Sequence, residues 1–146
     1  MSATGAARLG PTATVVATVV TATAINLLVY AVGGALGATY EFTSNGGPTR
    51  VDALTLTGFT AVPLLVGMAV AALLSRWWRW VIPVALVAAP VLAIGSVPFM
   101  PLAVDFDTAS AVALATAHVV VGAVAAVGLQ RLRTPSTAPV LEGAAS

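Results

Sequence analysis

Cysteine and lysine are both absent from this chain of 146 residues, and only 8% of its residues are charged. Without cysteine the chain can form no disulfide framework, perform no thiol redox chemistry and offer no thiolate to a metal. A soluble domain normally carries about 25% charged residues, so this low charge argues against a water-soluble fold. The six basic residues are all arginine and exceed the acidic residues by only one. Nucleic acid is therefore not expected as a partner.

Long apolar segments make up most of what is present, since 59% of the residues are hydrophobic. Four such segments cover about residues 12–36, 51–74, 80–97 and 108–130. Because a helix of about 20 residues crosses the hydrocarbon of a bilayer, each segment is a candidate span. The first exceeds the apolar core of a secretory signal, which is about 7 to 15 residues, and is expected to remain as a span. The pattern predicts an all-α integral membrane protein, an up-down-up-down four-helix bundle.

The connections carry recognisable turn and helix-start signals. Residues 45–48 read Asn-Gly-Gly-Pro, a strong turn signal between the first two spans. Thr49 and Asp52 have the spacing of a capping box, which predicts that the second helix starts there. Asp107 directly precedes the fourth apolar segment and is expected to cap that helix.

The placement of arginine predicts the orientation. If the N terminus is cytoplasmic, only Arg50 lies outside, and five arginines flank the spans on the inner side. Those five are Arg8, Arg76, Arg79, Arg131 and Arg133. We therefore expect a multi-pass plasma-membrane protein whose N-terminal tail, residues 1–11, is cytoplasmic. The C-terminal tail, residues 134–146, should also be cytoplasmic and is expected to be disordered because it lacks hydrophobic periodicity.

The connection between the second and third spans reads Arg76, Trp77, Trp78, Arg79 and Trp80, and it holds every tryptophan of the chain. Tryptophan is enriched at the level of the lipid headgroups, and arginine there needs water or phosphate. These residues are therefore predicted to form an interfacial anchor. A lipid-headgroup or partner site is the alternative.

Uncharged polar residues fall near the middle of the spans. Asn26 and His118 lie there in the first and fourth spans, with Tyr30 one turn from Asn26, and Pro63 and Pro90 interrupt the other two spans at a similar depth. Polar groups at this depth are costly unless partnered, so Asn26, His118 and Tyr30 form the candidate site. Two interpretations remain open. Asn26 and His118 could hydrogen-bond to each other and fix the helix register, or line a small cavity that binds a solute.

Small residues indicate where helices pack closely. Gly33 and Gly37 have the Gly-x-x-x-Gly spacing, and Ala115 and Gly122 share the face of His118. Such close packing leaves little room for a cofactor. Zinc would need three or four ligands, of which only His118 is present at that depth, so neither a metal nor a cofactor is expected.

The segment from Ala117 to Val124, continuing to Gly128, Leu129, Gln130 and Arg131, resembles a family of small actinobacterial membrane proteins. That family is known only as a domain of unknown function. The four-span layout and the arginine-tryptophan connection extend the resemblance loosely over the other spans. It implies a four-helix fold in the plasma membrane and no particular activity, and it draws attention to His118 and Gly122.

These observations favour a non-enzymatic membrane protein that acts through helix contacts. It would serve as an accessory subunit, an assembly subunit or a homo-oligomer, with lipid and a membrane protein, itself or another, as partners. The alternative is a small-solute binder or permease that uses Asn26 and His118. A dry, closed contact at the middle of the bundle would favour the first, and a hydrated cavity would favour the second.

Overall fold

Four long helices and one short β-hairpin make up the residues that the computed structural model describes, 9–99 and 104–133. The elements follow in the order α1 (Pro11–Ala35), β1 (Glu41–Ser44), β2 (Gly47–Arg50), α2 (Ala53–Leu74), α3 (Val81–Gly95) and α4 (Thr108–Arg133), with one 3-10 turn at Val97–Phe99. The predicted all-α four-helix architecture is confirmed. The predicted C-terminal tail and residues 1–8 of the N-terminal tail lie outside the described residues.

The helices pack in the order α2, α1, α4, α3, so that α1 neighbours α4 as expected for the predicted topology. Gly33 of α1 faces Ala113 of α4, while Gly128 of α4 faces Thr18 of α1, which makes the two helices antiparallel. In contrast, α2 and α3 make few contacts although a short connection joins them. The bundle is therefore open on the side between α2 and α3.

The bundle has two distinct ends, each with its own hydrophobic core. The hairpin end comprises residues 36–52 and 104–107, and its core contains Tyr40, Leu56 and Leu114. The arginine end comprises the connection 75–80 and the last turn of α4. The core nearer this end joins all four helices through Val15, Met68, Ala71, Val81, Ile82 and Leu129.

Aspartates begin two of the helices. The Oδ1 atom of Asp52 accepts a hydrogen bond from the Thr55 amide at 2.7 Å, so Asp52 itself is the N-cap of α2. The predicted capping box with Thr49 as the cap is wrong because Thr49 pairs with Phe42 in the hairpin. The predicted cap of α4 is confirmed, since Asp107 Oδ1 accepts from the Ser110 amide at 2.8 Å.

The first interhelical connection folds into a hairpin where the sequence predicted only a turn. Asn45 and Gly46 at its tip have φ values of 52° and 79°, which suit a two-residue turn with both central residues left-handed. Ser44 then pairs with Gly47 and Glu41 with Arg50. The hairpin therefore places a short ordered sheet at one end of the helices.

Candidate functional site

Asn26 is buried among the helices near the middle of α1, with 2% of its surface exposed. Its Nδ2 donates a hydrogen bond to Thr60 Oγ1 at 3.0 Å and so joins α1 to α2. Its Oδ1 has no partner among the described residues, and neither does Thr23 Oγ1 one turn earlier. Because the two ends of an amide are nearly indistinguishable, reversing Asn26 would leave its nitrogen unpaired instead. One half of the amide is therefore unsatisfied in either orientation.

His118 contacts its own helix, since its Nδ1 lies 2.8 Å from the carbonyl oxygen of Leu114. Asn26 bonds to Thr60 and its Oδ1 has no partner, so the interpretation in which Asn26 and His118 hydrogen-bond to each other is wrong. The reason is the face of α4 on which the imidazole lies. His118 shares that face with Gly122, which packs against Pro90 of α3, whereas Asn26 is bonded to α2.

Tyr30 contacts the hairpin end of the bundle. Its hydroxyl donates to the carbonyl oxygen of Val51 at 3.1 Å, and its ring stacks on Tyr40 with 4.2 Å between the centroids. Tyr40 is 1% exposed and in turn donates its hydroxyl to the Tyr30 carbonyl oxygen at 2.8 Å. The pKa of Tyr40 is raised, first by burial and then by the nearby Tyr30 and Asp107. The two tyrosines thus cover the interior of the bundle on the hairpin side of Asn26.

A narrow crevice connects Asn26 to the tyrosine pair. Leu56 of α2 and Leu114 of α4 line it together with Tyr30 and Tyr40, and it has no room for a water molecule. A buried water needs space for about one probe sphere and two to four polar partners, so this crevice is dry. Of the three predicted site residues, Asn26 and Tyr30 line it and His118 does not.

Asp105 and Asp107, in the connection that precedes α4, form hydrogen bonds with the connection between α1 and α2, which contains the hairpin. Asp105 accepts from the Thr43 amide at 2.8 Å and the Thr43 hydroxyl at 2.7 Å. Asp107 Oδ2 accepts from the Thr39 hydroxyl at 2.8 Å and from the Thr39 amide at 3.1 Å, while Ser110 also donates to it. Sequence reasoning assigned Asp107 only to capping and missed this link between two loops.

These hydrogen bonds favour the ionised carboxylates. The pKa of Asp107 lies well below its usual range, chiefly because the Ser110 hydroxyl and amide donate to it and then because Thr39 does. The pKa of Asp105 is lowered by the Thr43 hydroxyl and amide. Both aspartates therefore remain charged in the neutral pH range, and their hydrogen bonds to Thr39, Thr43 and Ser110 are kept there.

Three glycines lie where helices touch. A Cβ on Gly33 would collide with the Tyr40 hydroxyl, and one on Gly122 would lie 3.3 Å from Pro90 Cα, which supports both as packing residues. Gly128, where a Cβ would collide with Thr18, is the third and was missed by sequence reasoning. Six residues separate it from Gly122, about 240° around the helix, so the spacing does not place the two glycines on one face.

The prediction that Gly37 packs against another helix is wrong. Gly37 lies after the last residue of α1 with a φ of 97°, and nothing lies within 4 Å of the position that a Cβ would occupy there. Its amide donates to Gly34 and that of Ala38 to Gly33, the pattern of a Schellman helix end. Ala115, the remaining predicted packing residue, is half-buried.

The arginine-tryptophan connection is a compact, exposed turn. Trp77, Trp78 and Trp80 are 65%, 51% and 62% exposed, and Arg76 and Arg79 are also exposed. Backbone hydrogen bonds from Trp78 to Leu74 and from Val81 to Trp78 hold it together. Its role as an interfacial anchor stays a prediction. Within residues 9–99 and 104–133, no group of three or more potential metal ligands occurs.

The described part of the chain has four helices long and apolar enough to cross a bilayer, and its charged residues lie at the two ends of the bundle. This arrangement is typical of a multi-pass membrane protein. The model of one family, described as a family of unknown function (DUF6069), matches residues 7–135. The chain belongs to this family, and the resemblance to an uncharacterised family is confirmed. No curated protein and no solved structure is significantly similar to the chain.

Proposed function

We propose that the protein is a non-enzymatic component of the plasma membrane that acts through helix contacts, as an accessory or assembly subunit or as a homo-oligomer. The observation that carries this proposal is the incomplete packing of α3. Its buried residues, Val81 and Ile82, both lie in its first turn, and the helix packs chiefly against α4. A further helix could therefore pack on the open side between α2 and α3.

The dry interior supports the same proposal. Asn26 bonds directly to Thr60, and the crevice beside them has no room for water. The helical spans contain no carboxylate, which proton-coupled carriers normally need within the membrane. These features favour a protein that makes contacts over one that passes a solute.

The orientation belongs to this proposal. The arginine end would face the cytoplasm together with both termini, and the hairpin end would face outward. The asymmetry of the arginines supports this, since Arg50 is the only one at the hairpin end within residues 9–99 and 104–133.

Single cysteines test the proposal cleanly because the natural chain has none. Val91→Cys places a thiol on α3 and Val20→Cys places a matched thiol on α1, the native valines being 62% and 61% exposed. We expect a bifunctional maleimide applied to native membranes to cross-link the Val91→Cys protein, to itself or to one other protein, and to leave the Val20→Cys protein monomeric. Equal cross-linking of both variants, or none of either, would contradict the proposal.

Small-solute binding is the second candidate, and the unpaired half of the Asn26 amide favours it. Such a group usually has a partner, and a solute with a hydrogen-bond donor would supply one. In Asn26→Cys, a small hydrophilic thiol reagent should react only if a hydrated path reaches this depth. Pro48→Cys in the exposed hairpin gives the reference rate. A rate close to that reference would favour solute binding, whereas no reaction would favour the closed bundle.

A further inference from the structure

The charged residues are segregated between the two ends of the bundle. The described carboxylates are those of Glu41, Asp52, Asp105 and Asp107, and all of them lie at the hairpin end. Four of the described arginines lie at the other end: Arg76, Arg79, Arg131 and Arg133. Over the described ranges, therefore, the arginine end carries no carboxylate that could neutralise its guanidinium groups.

The fold brings these four arginines to one surface, although more than fifty residues separate the two pairs in sequence. Gly122 of α4 lies against Pro90 of α3, which sets the antiparallel register of these two helices. Followed along both helices, this register brings the last turn of α4 level with the first turn of α3. Leu129 and Leu132 accordingly belong to the same core as Val81 and Ile82. Arg131 and Arg133 thus flank the connection that carries the other pair.

All four guanidinium groups are free to meet a ligand from outside. Each of these arginines is exposed, as are the three tryptophans of the connection. Tryptophan rings prefer the depth of the lipid headgroups, so the predicted interfacial anchor would hold the neighbouring arginines at the level of the phosphates. A guanidinium forms paired hydrogen bonds with phosphate oxygens, which a single point charge does not.

We propose that the arginine end is a binding site for the phosphate groups of anionic phospholipids, formed jointly by the Arg76–Arg79 pair and the Arg131–Arg133 pair. This proposal is additional to the proposed helix contacts, which do not require the arginine end. The site selects anionic lipid over zwitterionic lipid because zwitterionic headgroups bring their own positive charge beside the phosphate.

Intrinsic fluorescence tests this proposal, because all three tryptophans of the chain lie in the connection. The full chain is reconstituted in phosphatidylcholine vesicles that contain either brominated phosphatidylglycerol or brominated phosphatidylcholine at equal mole fraction. We expect the anionic lipid to quench several-fold more strongly than the zwitterionic lipid. A basic residue near an anionic surface contributes about fivefold to such binding, so removing either arginine pair should abolish most of that preference.

The two double variants are Arg76→Gln with Arg79→Gln and Arg131→Gln with Arg133→Gln. Arg50→Gln at the hairpin end is the matched control and should keep the full preference. Lysine at positions 76 and 79 should retain part of it, which separates loss of charge from loss of fold, and circular dichroism checks the helices of every variant.

Three results would overturn the proposal. Equal quenching by the two brominated lipids would show that the arginine end has no preference for anionic lipid. An unchanged preference after removal of Arg131 and Arg133 would show that the pairs do not act together. Displacement by inorganic phosphate at an ionic strength where chloride has no effect would assign the site to a soluble phosphate instead of a lipid.

Discussion

Replacing Gly128 by alanine should destabilise the bundle, because this glycine lies where α4 meets both α1 and α2. A Cβ there would collide with Thr18 Oγ1 and would lie 2.7 Å from Thr18 Cγ2 and 2.9 Å from Met68 Cε. Ordinary contacts between carbon atoms are about 3.5 to 4.0 Å. The methionine can move, since its side chain is unbranched and flexible. Thr18 cannot, because it is β-branched and its hydroxyl donates to the Thr14 carbonyl at 2.7 Å.

The expected magnitude follows from two opposing effects. Overpacking of a well-filled core costs about 1 to 3 kcal/mol. Alanine in place of glycine inside a helix stabilises the helix by up to about 1 kcal/mol. Gly67→Ala in α2 is the matched control, because nothing lies within 4 Å of its added Cβ and only the favourable effect applies. The free energies of unfolding of the two variants should therefore differ by about 1 to 3 kcal/mol, the steric cost alone.

The assay is reversible unfolding in mixed micelles, with helix content followed by circular dichroism as sodium dodecyl sulfate replaces a mild detergent. The Gly128→Ala protein should unfold at a lower mole fraction of dodecyl sulfate than the Gly67→Ala protein. If the two variants unfold at the same mole fraction, the close approach of α4 to α1 at Thr18 is incorrect.

Three further predictions concern the polar contacts. Because their hydrogen-bond donors lower the pKa of Asp105 and Asp107 in the folded state, their contribution to stability is complete above the unfolded pKa of about 4 and is lost as the pH falls through the folded values. Unfolding midpoints should thus be level from about pH 7 to 5 and fall below about pH 4, and Asp107→Asn should weaken that fall. In a double-mutant cycle, Asn26→Ala and Thr60→Val should show a coupling of about 0.6 kcal/mol, and additive effects would exclude their hydrogen bond. Tyr40→Phe should cost about 0.5 to 1.5 kcal/mol and speed amide exchange in the hairpin; unchanged exchange would mean that its hydroxyl does not hold the hairpin.

The helices were predictable because apolar length is a strong signal in a chain with so few charges. The residues that begin helices were partly predictable, since Asp107 caps α4 as expected while Asp52 caps α2 in place of Thr49. The capping residue of α2 was predicted wrongly because Thr49 lies in a strand of only four residues, which is too short to show a recognisable periodicity.

The site was harder to predict because depth in the membrane does not determine direction around a helix. Asn26 and His118 lie at similar depths, yet one faces α2 and the other shares the α3-facing side of α4 with Gly122. Which of four helices touches a given face depends on packing angles that a single sequence does not encode locally. The hydrogen bond between Asp107 and Thr39 could not be predicted either, because it joins two loops that are distant in sequence.

The central claim is that the chain crosses the membrane four times with its arginine end in the cytoplasm. Single cysteines at Asn45 and Val104 mark the hairpin end, and single cysteines at Trp78 and Arg133 mark the arginine end. On intact cells, a membrane-impermeant maleimide should label the first two variants and should label the other two only after permeabilisation. Labelling of positions from both ends in intact cells would contradict four crossings, and labelling of the arginine end alone would reverse the orientation.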